Sequence, residues 1–335
     1  MMKLNVASRY AIAAILLAAL VWLIASPPAA VRPAPALVRF ALPTQISSGA
    51  IFLAAHHGLF QEQNLDVRPL PFRLGKQALA AVVEGKADLA LVADTPFVLS
   101  ALGGEKIAIA AQIFASRGSI ALLVRTDRGI YAAGDLRGKR VGTTKGINAE
   151  YFLDALLTSH RLTPADLTVV ALPPDELPRA MHSGMVDAAT LWFPDLGLVQ
   201  DQLGPKVKSM DGKDVFVYRM LLVGKTDYLE AHGAEVARVL SALDGATTMI
   251  HRQPEAARAL IASALGVESH TLMPYFEPSD FQLCLDQSLL LALDHQARWA
   301  GAKGLLRAGS APDYQALLRP AALRAVLPHA VRIVY

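Results

Sequence analysis

Short unbroken apolar runs alternate with amphipathic stretches along most of this chain. Runs at 37–42, 65–70 and 87–92 read as buried strands, and the segments between them carry helical periodicity. Over 49–63, Ile51, Phe52, Ala55, Leu59 and Phe60 share one face, with Gly58 marking an irregular last turn. A helix is expected over 75–84. Another is expected over 95–102, capped by Asp94 with Pro96 in its first turn. Two apolar, β-branched runs follow at 106–114 and 119–125. Strands alternating with helices predict a mainly parallel sheet with right-handed crossovers.

The polar, Gly-containing stretch 127–134 separates this series from a second one. Strands at 140–143, 167–172 and 186–191 lead into helices at 147–159, 175–182 and 194–203, and 206–210 is a further strand. The run 216–223 reads as a strand returning to the first unit. Beyond it the pattern is helical, over 229–252, 254–265 and 279–300, with shorter helices through Tyr314 and Leu327. Both series contain Gly-x-x-Asp-x-Ala at the entry to a strand: Gly85-Lys86-Ala87-Asp88-Leu89-Ala90, and Gly184-Met185-Val186-Asp187-Ala188-Ala189. One α/β unit is built twice. The expected organisation is a first unit at 37–126 and 216–335, an inserted unit at 127–215, and an N-terminal segment, 1–36, outside both. Two crossings, near Val124 and at 215–218, would form the hinge.

Composition narrows the classes. The chain has 335 residues, 53% hydrophobic and 18% charged, as expected of a folded, apolar-rich protein. Its formal charge is +3, and Lys3 and Arg9 in the tail supply two of those positives, so nothing points to nucleic acid. Lys3 and Arg9 precede an uninterrupted apolar run at 10–25, the pattern of an export signal or an N-terminal membrane anchor. The Pro- and Ala-rich 29–36 reads as a linker. The cleavage site is poor, and no cysteine follows the run, so no lipoprotein anchor is expected. The single cysteine, Cys284, lies in an apolar run and reads as a small buried hydrophobe.

Catalytic signatures are missing. There is no Gly-x-Ser-x-Gly and no His-Glu-x-x-His, and Gly142-Thr143-Thr144-Lys145-Gly146 lacks phosphate-loop spacing. What remains is polar residues where strands hand over to helices. These are Thr44, Gln45, Ser47 and Ser48; Asp94 and Thr95; and Thr143, Thr144, Lys145 and Asn148. Helix starts offer free N–H donors, and in doubly wound folds they gather at one sheet edge, where ligands bind. Ordinary capping is the competing reading for any one of them. Trp192 ends the second repeat and is placed to stack on a ligand or to pack in the core. Arg117, near the hinge, and Arg219, in the returning strand, face a carboxylate such as Asp94 or Asp195, an anionic ligand, or solvent.

The order Gly58-Leu59-Phe60, Asn64-Leu65-Asp66-Val67, Glu84-Gly85-Lys86-Ala87-Asp88, Asp135-Leu136-Arg137-Gly138-Lys139-Arg140-Val141-Gly142 and Ser183-Gly184-Met185-Val186-Asp187 resembles the solute-binding proteins of ABC importers for nitrate, sulfonates and taurine, a group that includes thiamine-precursor binders. The resemblance covers about 38–265. It implies a bilobed type II periplasmic-binding fold, two doubly wound α/β lobes on a two-segment hinge. It also implies a non-catalytic, exported, periplasmic protein that closes on a small anionic or zwitterionic ligand. The ligand loops it implies fall on Thr44 to Ser48, Asp94-Thr95, the Thr143 to Asn148 region and Trp192. The implied partners are that ligand and an inner-membrane ABC permease; a monomer without cofactor or metal is expected. Beside Trp192 the chain has Phe193-Pro194-Asp195, where members carry an acidic residue. The weak cleavage site raises an alternative, a membrane-anchored ligand sensor or accessory subunit. An enzyme like the yeast-type pyrimidine synthases would need a multi-cysteine motif that this chain lacks.

Overall fold

Strands form where the apolar runs predict them, and they sort into two sheets. The computed structural model describes residues 34–305 and 313–334, and Ala36–Tyr335 form one compact unit. The apolar run 10–25 and the linker as far as residue 33 lie outside the described residues. No helix among the described residues is long and apolar enough to cross a membrane.

The chain begins with β1 (Ala36–Pro43), α1 (Gly49–His56), α2 (Leu59–Glu62), β2 (Leu65–Phe72), α3 (Gly75–Val83), β3 (Leu89–Ala93), α4 (Asp94–Leu102) and β4 (Ile107–Ser116). It crosses to β5 (Ile120–Arg125), β6 (Arg140–Thr143), α5 (Asn148–Ser159), β7 (Thr168–Ala171), α6 (Leu177–Ser183), β8 (Ala188–Trp192), α7 (Asp195–Leu203) and β9 (Val207–Asp211). It returns as β10 (Tyr218–Lys225) and continues through α8 (Thr226–Ala231), α9 (Gly233–Arg252), α10 (Pro254–Leu265), α11 (Ser269–Leu272), β11 (Phe281–Asp286), α12 (Gln287–Ala302), α13 (Ala321–Val326) and β12 (Val331–Arg332).

The larger sheet has the order β12-β11-β4-β10-β3-β1-β2, and the smaller one β7-β6-β8-β5-β9. Each has a parallel heart, β2-β1-β3 and β7-β6-β8, reached through crossover helices. The returning strand β10 lies at the centre of the larger sheet, antiparallel to β3 and β4. On β2, Pro69 and Pro71 lack an N–H for a ladder, and this strand sits at the sheet edge.

Alternation along the smaller sheet sends side chains to two cores. Leu122 and Val124 of β5 join Phe152, Leu153 and Leu156 of α5 in the large core. Ala121 and Leu123 turn the other way, onto Leu177 and Met181 of α6 and Leu196 of α7. In α9, Val236, Val239, Leu240, Leu243 and Ile250 recur at helical spacing and are all buried.

Four expectations need correction. The stretch 279–300 is not one helix: β11 pairs with β4, and Asp286 starts α12 by accepting the Ser288 and Leu289 N–H groups. Cys284 therefore lies on a strand, opposite Gln112. The helix expected over 229–252 is two, α8 and α9, divided at His232. Asp94 is the first residue of α4, with Ala93 in the cap position. Residues 119–125 belong with the inserted unit, because β5 hydrogen-bonds to β8 and β9. The first crossing is therefore at Arg117–Ser119, ahead of Val124, and the second is at 212–217. The two are tied by Arg117 Nη1 donating to the Lys213 carbonyl at 2.6 Å.

The sequence repeat has a physical counterpart. Asp88 accepts from the Arg39 backbone N–H (2.7 Å), Nε (3.1 Å) and Nη2 (2.6 Å), while Arg39 Nη1 reaches the Gly85 carbonyl. Asp187 accepts from the Arg140 N–H (2.9 Å), Nε (3.1 Å) and Nη2 (2.8 Å), and Arg140 Nη2 reaches the Gly184 carbonyl. Arg128 adds a second guanidinium to Asp187 at 2.7 Å. Each aspartate thus locks the turn before a strand to an arginine on the neighbouring parallel strand. Gly85 (φ +74°) and Gly184 (φ +72°) make these turns left-handed, and a Cβ on Gly184 would also collide with the Arg128 guanidinium. Gly85→Ala is expected to lose about 1 kcal/mol and Gly184→Ala about 2 kcal/mol, because the second also displaces a partner of Asp187. Urea denaturation of the two variants checks the order.

Candidate functional site

The carboxyl ends of β1, β3, β6 and β8 deliver the polar residues that precede helices. From the larger sheet come Gln45, Ser47, Ser48, Asp94 and Thr95, all buried. From the smaller come Thr143, Asn148 and Trp192, also buried. Helices α4 and α5 pack against each other, so a larger-sheet helix and a smaller-sheet helix are neighbours.

Several of these side chains are already committed. Ser48 Oγ donates to the Pro43 carbonyl at 2.6 Å, closing its own turn. Thr143 Oγ1 accepts from Thr190 Oγ1 at 2.8 Å, tying β6 to β8. Gln45 Oε1 accepts from the Tyr218 hydroxyl at 3.0 Å, tying the first loop to the returning strand. Others have no hydrogen-bond partner of good geometry among the described residues: Ser47 Oγ, Asp94 Oδ2 (toward which the Gln296 amide is turned), Thr95 Oγ1, Asn148 Nδ2 and Trp192 Nε1. A buried polar atom left unpaired costs about 1–3 kcal/mol, so several of them at strand-to-helix turns need a reason. Partnerless atoms occur elsewhere too, as on Thr247 and Tyr314, away from those turns in the sequence.

Asp94 dominates the electrostatics. Its side chain is fully buried, and burial pushes its carboxyl up to about 6; the Arg219 charge and the Gln296 amide oppose the rise. Oδ1 accepts the Thr95 N–H at 2.9 Å. Arg219, on β10, is half-buried. Its guanidinium makes a long hydrogen bond, 3.5 Å, to the Val217 carbonyl. Burial also raises the Tyr218 hydroxyl, and the Asp94 charge adds to the rise.

The remaining candidates stand apart. Thr44 is exposed and its hydroxyl donates to the Phe72 carbonyl; Thr144 Oγ1 donates to the Leu172 carbonyl at 2.9 Å. Lys145 is exposed. Arg117 is exposed at the crossing, its guanidinium on Lys213. Asp195, at the start of α7, pairs with Arg73, which follows β2, so this ion pair joins the two sheets' units. Burial raises the Asp195 carboxyl, against the Arg73 charge.

Sequence reading missed Tyr218, Gln296 and Tyr151. Gln296 had a signal: it is polar in a stripe whose other members, Leu289, Leu293 and Ala300, are buried apolar residues. Tyr218 sits beside Arg219 and so points to the opposite face of the strand. Tyr151 gave none, because aromatic residues on an amphipathic helix are usually core. Here Tyr151 is only partly buried and meets Trp299 of α12 and Phe216 of the crossing edge-on. Two more contacts join the units: Trp299 Nε1 donates to Asp154 at 2.7 Å, and Thr271 Oγ1 donates to Asp201 at 2.8 Å.

Comparison with known proteins fits this architecture. The NMT1/THI5-like family pattern matches residues 45–257. A putative binding protein of Brucella abortus is 23% identical over 224 residues, covering 66% of this chain and 68% of its own. A putative aliphatic sulfonates-binding protein of Bacillus subtilis is 26% identical over 191 residues, 56% of each chain. Among solved structures, the periplasmic aliphatic sulphonate binding protein SsuA of Escherichia coli superposes with a TM-score of 0.74 at 21% identity, covering 85% of this chain and 97% of its own. The desulfurization enzyme DSZB superposes with 0.71 at 17% identity, covering 88% and 99%, so the same fold also hosts an enzyme. The fold is the bilobed periplasmic-binding one expected from the sequence, and the curated relatives are binding proteins. The match over 45–257 spans most of both sheets, and the chain belongs to the NMT1/THI5-like family.

Proposed function

We propose that this chain is an exported, non-catalytic solute-binding protein of an ABC importer. It holds a small anionic or zwitterionic ligand between its two sheets. The observation that carries this reading is the set of buried, partnerless polar atoms contributed from both sides: Ser47, Asp94 and Thr95 from one, Asn148 and Trp192 from the other. The crossings at Arg117–Ser119 and 212–217 act as the hinge between lobes. Ligand contacting both lobes stabilises the closed arrangement, which a membrane permease then recognises. The ion pair Arg73–Asp195 and the contacts of Trp299 and Thr271 support the closed side of that equilibrium.

The single cysteine is poorly suited to act as a nucleophile. Cys284 is buried on β11, and burial pushes its thiol up to about 11. Isothermal titration calorimetry across sulfonates, nitrate, bicarbonate, amino acids and pyrimidines tests the reading: at least one class should bind, and binding by none would sink it. The uninterrupted run 10–25 favours a second reading, a membrane-anchored sensor or accessory subunit on the same fold. N-terminal sequencing of the exported protein separates the two, since a retained run supports the anchor.

A further inference from the structure

One continuous segment, 269–303, touches the inserted unit twice. Its middle is β11, which pairs with β4 in the larger sheet, and α12 beyond it packs on α4. The segment therefore belongs to the larger-sheet unit, and both its ends reach across. At one end α12 meets α5. Trp299 Nε1 donates to Asp154 Oδ2 at 2.7 Å, and Lys303 Nζ lies 2.6 Å from the same oxygen and 3.9 Å from Glu150 Oε1. The Trp299 ring stands edge-on to Tyr151, their centroids 5.3 Å apart. At the other end α11 and the turn after it meet α7. Thr271 Oγ1 donates to Asp201 Oδ2 at 2.8 Å, and the Tyr275 hydroxyl donates to Gln200 Oε1. Tyr275 also packs on the outer core of the inserted unit, its ring centroid 5.3 Å from that of Phe193. Gly197 of α7 permits this approach, since a Cβ there would fall 2.9 Å from Thr271 Cγ2 and 3.1 Å from Phe193 Cε2.

All of these ties run between side chains of the protein itself. Thr271 is 6% exposed and the Asp154 side chain 13%, so solvent and salt screen them less than an exposed surface pair. The helices they grip are the ones that border the cleft. Helix α5 starts at Asn148, and α7 starts three residues after Trp192. Asp154 and Asp201 each lie six residues into their helix, about 9 Å along its axis. A helix is stiff over that length, so what holds Asp154 and Asp201 in place also holds the two helix starts.

We infer that 269–303 is a clasp whose two jaws hold the inserted unit against the larger-sheet unit through protein contacts alone, so that the closed arrangement predominates before any ligand binds. Thr271 and Tyr275 form one jaw, Trp299 and Lys303 the other. Together they are positioning residues for Asn148 and Trp192. The clasp rests on the solute-binding reading only for its consequence, which is tighter binding through a larger population of the competent state.

Double electron–electron resonance on the full chain, with no ligand added, tests it by measuring the distance between spin labels on the two units. The labels go on Lys76→Cys in the larger-sheet unit and Asp175→Cys in the inserted unit, both exposed, while Cys284, 2% exposed, stays unlabelled. In this labelled background one short distance is expected to predominate, with a longer one in less than about a tenth of the molecules. Trp299→Phe with Lys303→Met removes both donors to Asp154 and keeps a ring beside Tyr151. Combined with Thr271→Val and Tyr275→Phe, it should raise the ratio of long to short distances about tenfold. Gly197→Ala is an independent wedge: alanine favours a helix over glycine, so α7 is not weakened while the longer population grows. Unchanged distances in the four-residue variant, with a cooperative melting curve, overturn the clasp. Should that variant not fold, unchanged distances in Gly197→Ala do so. A labelled background in which the longer distance already predominates overturns it as well. Each of these results leaves the solute-binding reading standing, because that reading fails only when calorimetry finds no ligand.

Discussion

Asp94→Asn is expected to make the protein more stable at neutral pH. Burial has raised the Asp94 carboxyl to about 6, against an ordinary value near 3.9. A raised carboxyl is bound more tightly by its proton in the folded state than in the unfolded one. Its contribution to stability is therefore fully present below about pH 4, fades between about 4 and 6, and is absent above. At pH 7 the folded protein holds an ionised carboxylate in a buried site, and two pKa units correspond to about 2–3 kcal/mol. Asparagine keeps an oxygen for the Thr95 N–H, now at 2.9 Å from Oδ1, and carries no charge. The gain should be largest above pH 6 and vanish below about pH 4. Arg219, the Gln296 amide and the hydroxyls of Tyr218 and Tyr151 complete the polar surroundings of Asp94, and the tyrosines, raised further by burial, do not titrate in this window. Urea midpoints of both proteins at pH 4, 6 and 8 check the pattern. A variant less stable than wild type at pH 8 would mean that the Arg219 charge outweighs burial. A stabilising substitution at a strand-to-helix turn is what a binding site held against stability looks like.

Asp187→Ala is expected to do the opposite and lose about 3 kcal/mol. It removes the acceptor for three donors of Arg140 and one of Arg128, all between 2.7 and 3.1 Å, and hydrogen bonds to a charged group contribute about 1.5–3 kcal/mol each before the partners find water. The backbone N–H of Arg140 has no easy substitute, because it faces the turn that Asp187 fills. Asp88→Ala should lose less, about 2 kcal/mol, since only Arg39 binds there. The pH trend also reverses. Burial alone would raise both carboxyls, but the arginine hydrogen bonds hold them below the usual range, Asp187 far below. Their contribution is present above the unfolded value near 3.9 and is lost as the pH falls below it. Acid unfolding should therefore come later in Asp187→Ala relative to its own neutral stability, which urea titration at pH 3 and 7 measures.

These two aspartates divide what was legible from what was not. Asp88 and Asp187 recur at one spacing in a repeat of local elements, and their turn role was readable because the glycine, the aspartate and the following strand are adjacent in sequence. Their partners, Arg39 and Arg140, lie 49 and 47 residues earlier, on parallel neighbours. Only strand register brings them together. Likewise the chain's periodicity predicted most strands and the return of β10 to the larger sheet. It misplaced β5 and fused β11 with α12, because an apolar run of six residues satisfies either period and sheet membership is decided by partners.

By itself the sequence determined the duplicated α/β unit and the strand ends at which polar residues precede helices, since each follows from local spacing and residue type. The tertiary structure alone decided which of those polar residues are spent on nearby carbonyls, as Ser48 and Thr144 are, and which keep a buried atom unpaired among the described residues, as Asn148 and Trp192 do. It also brought Gln296 and Arg219, far along the chain, close enough to act on Asp94. Burial and pairing are properties of the packed neighbourhood, assembled from segments about 120 to 200 residues apart, and no local pattern encodes them.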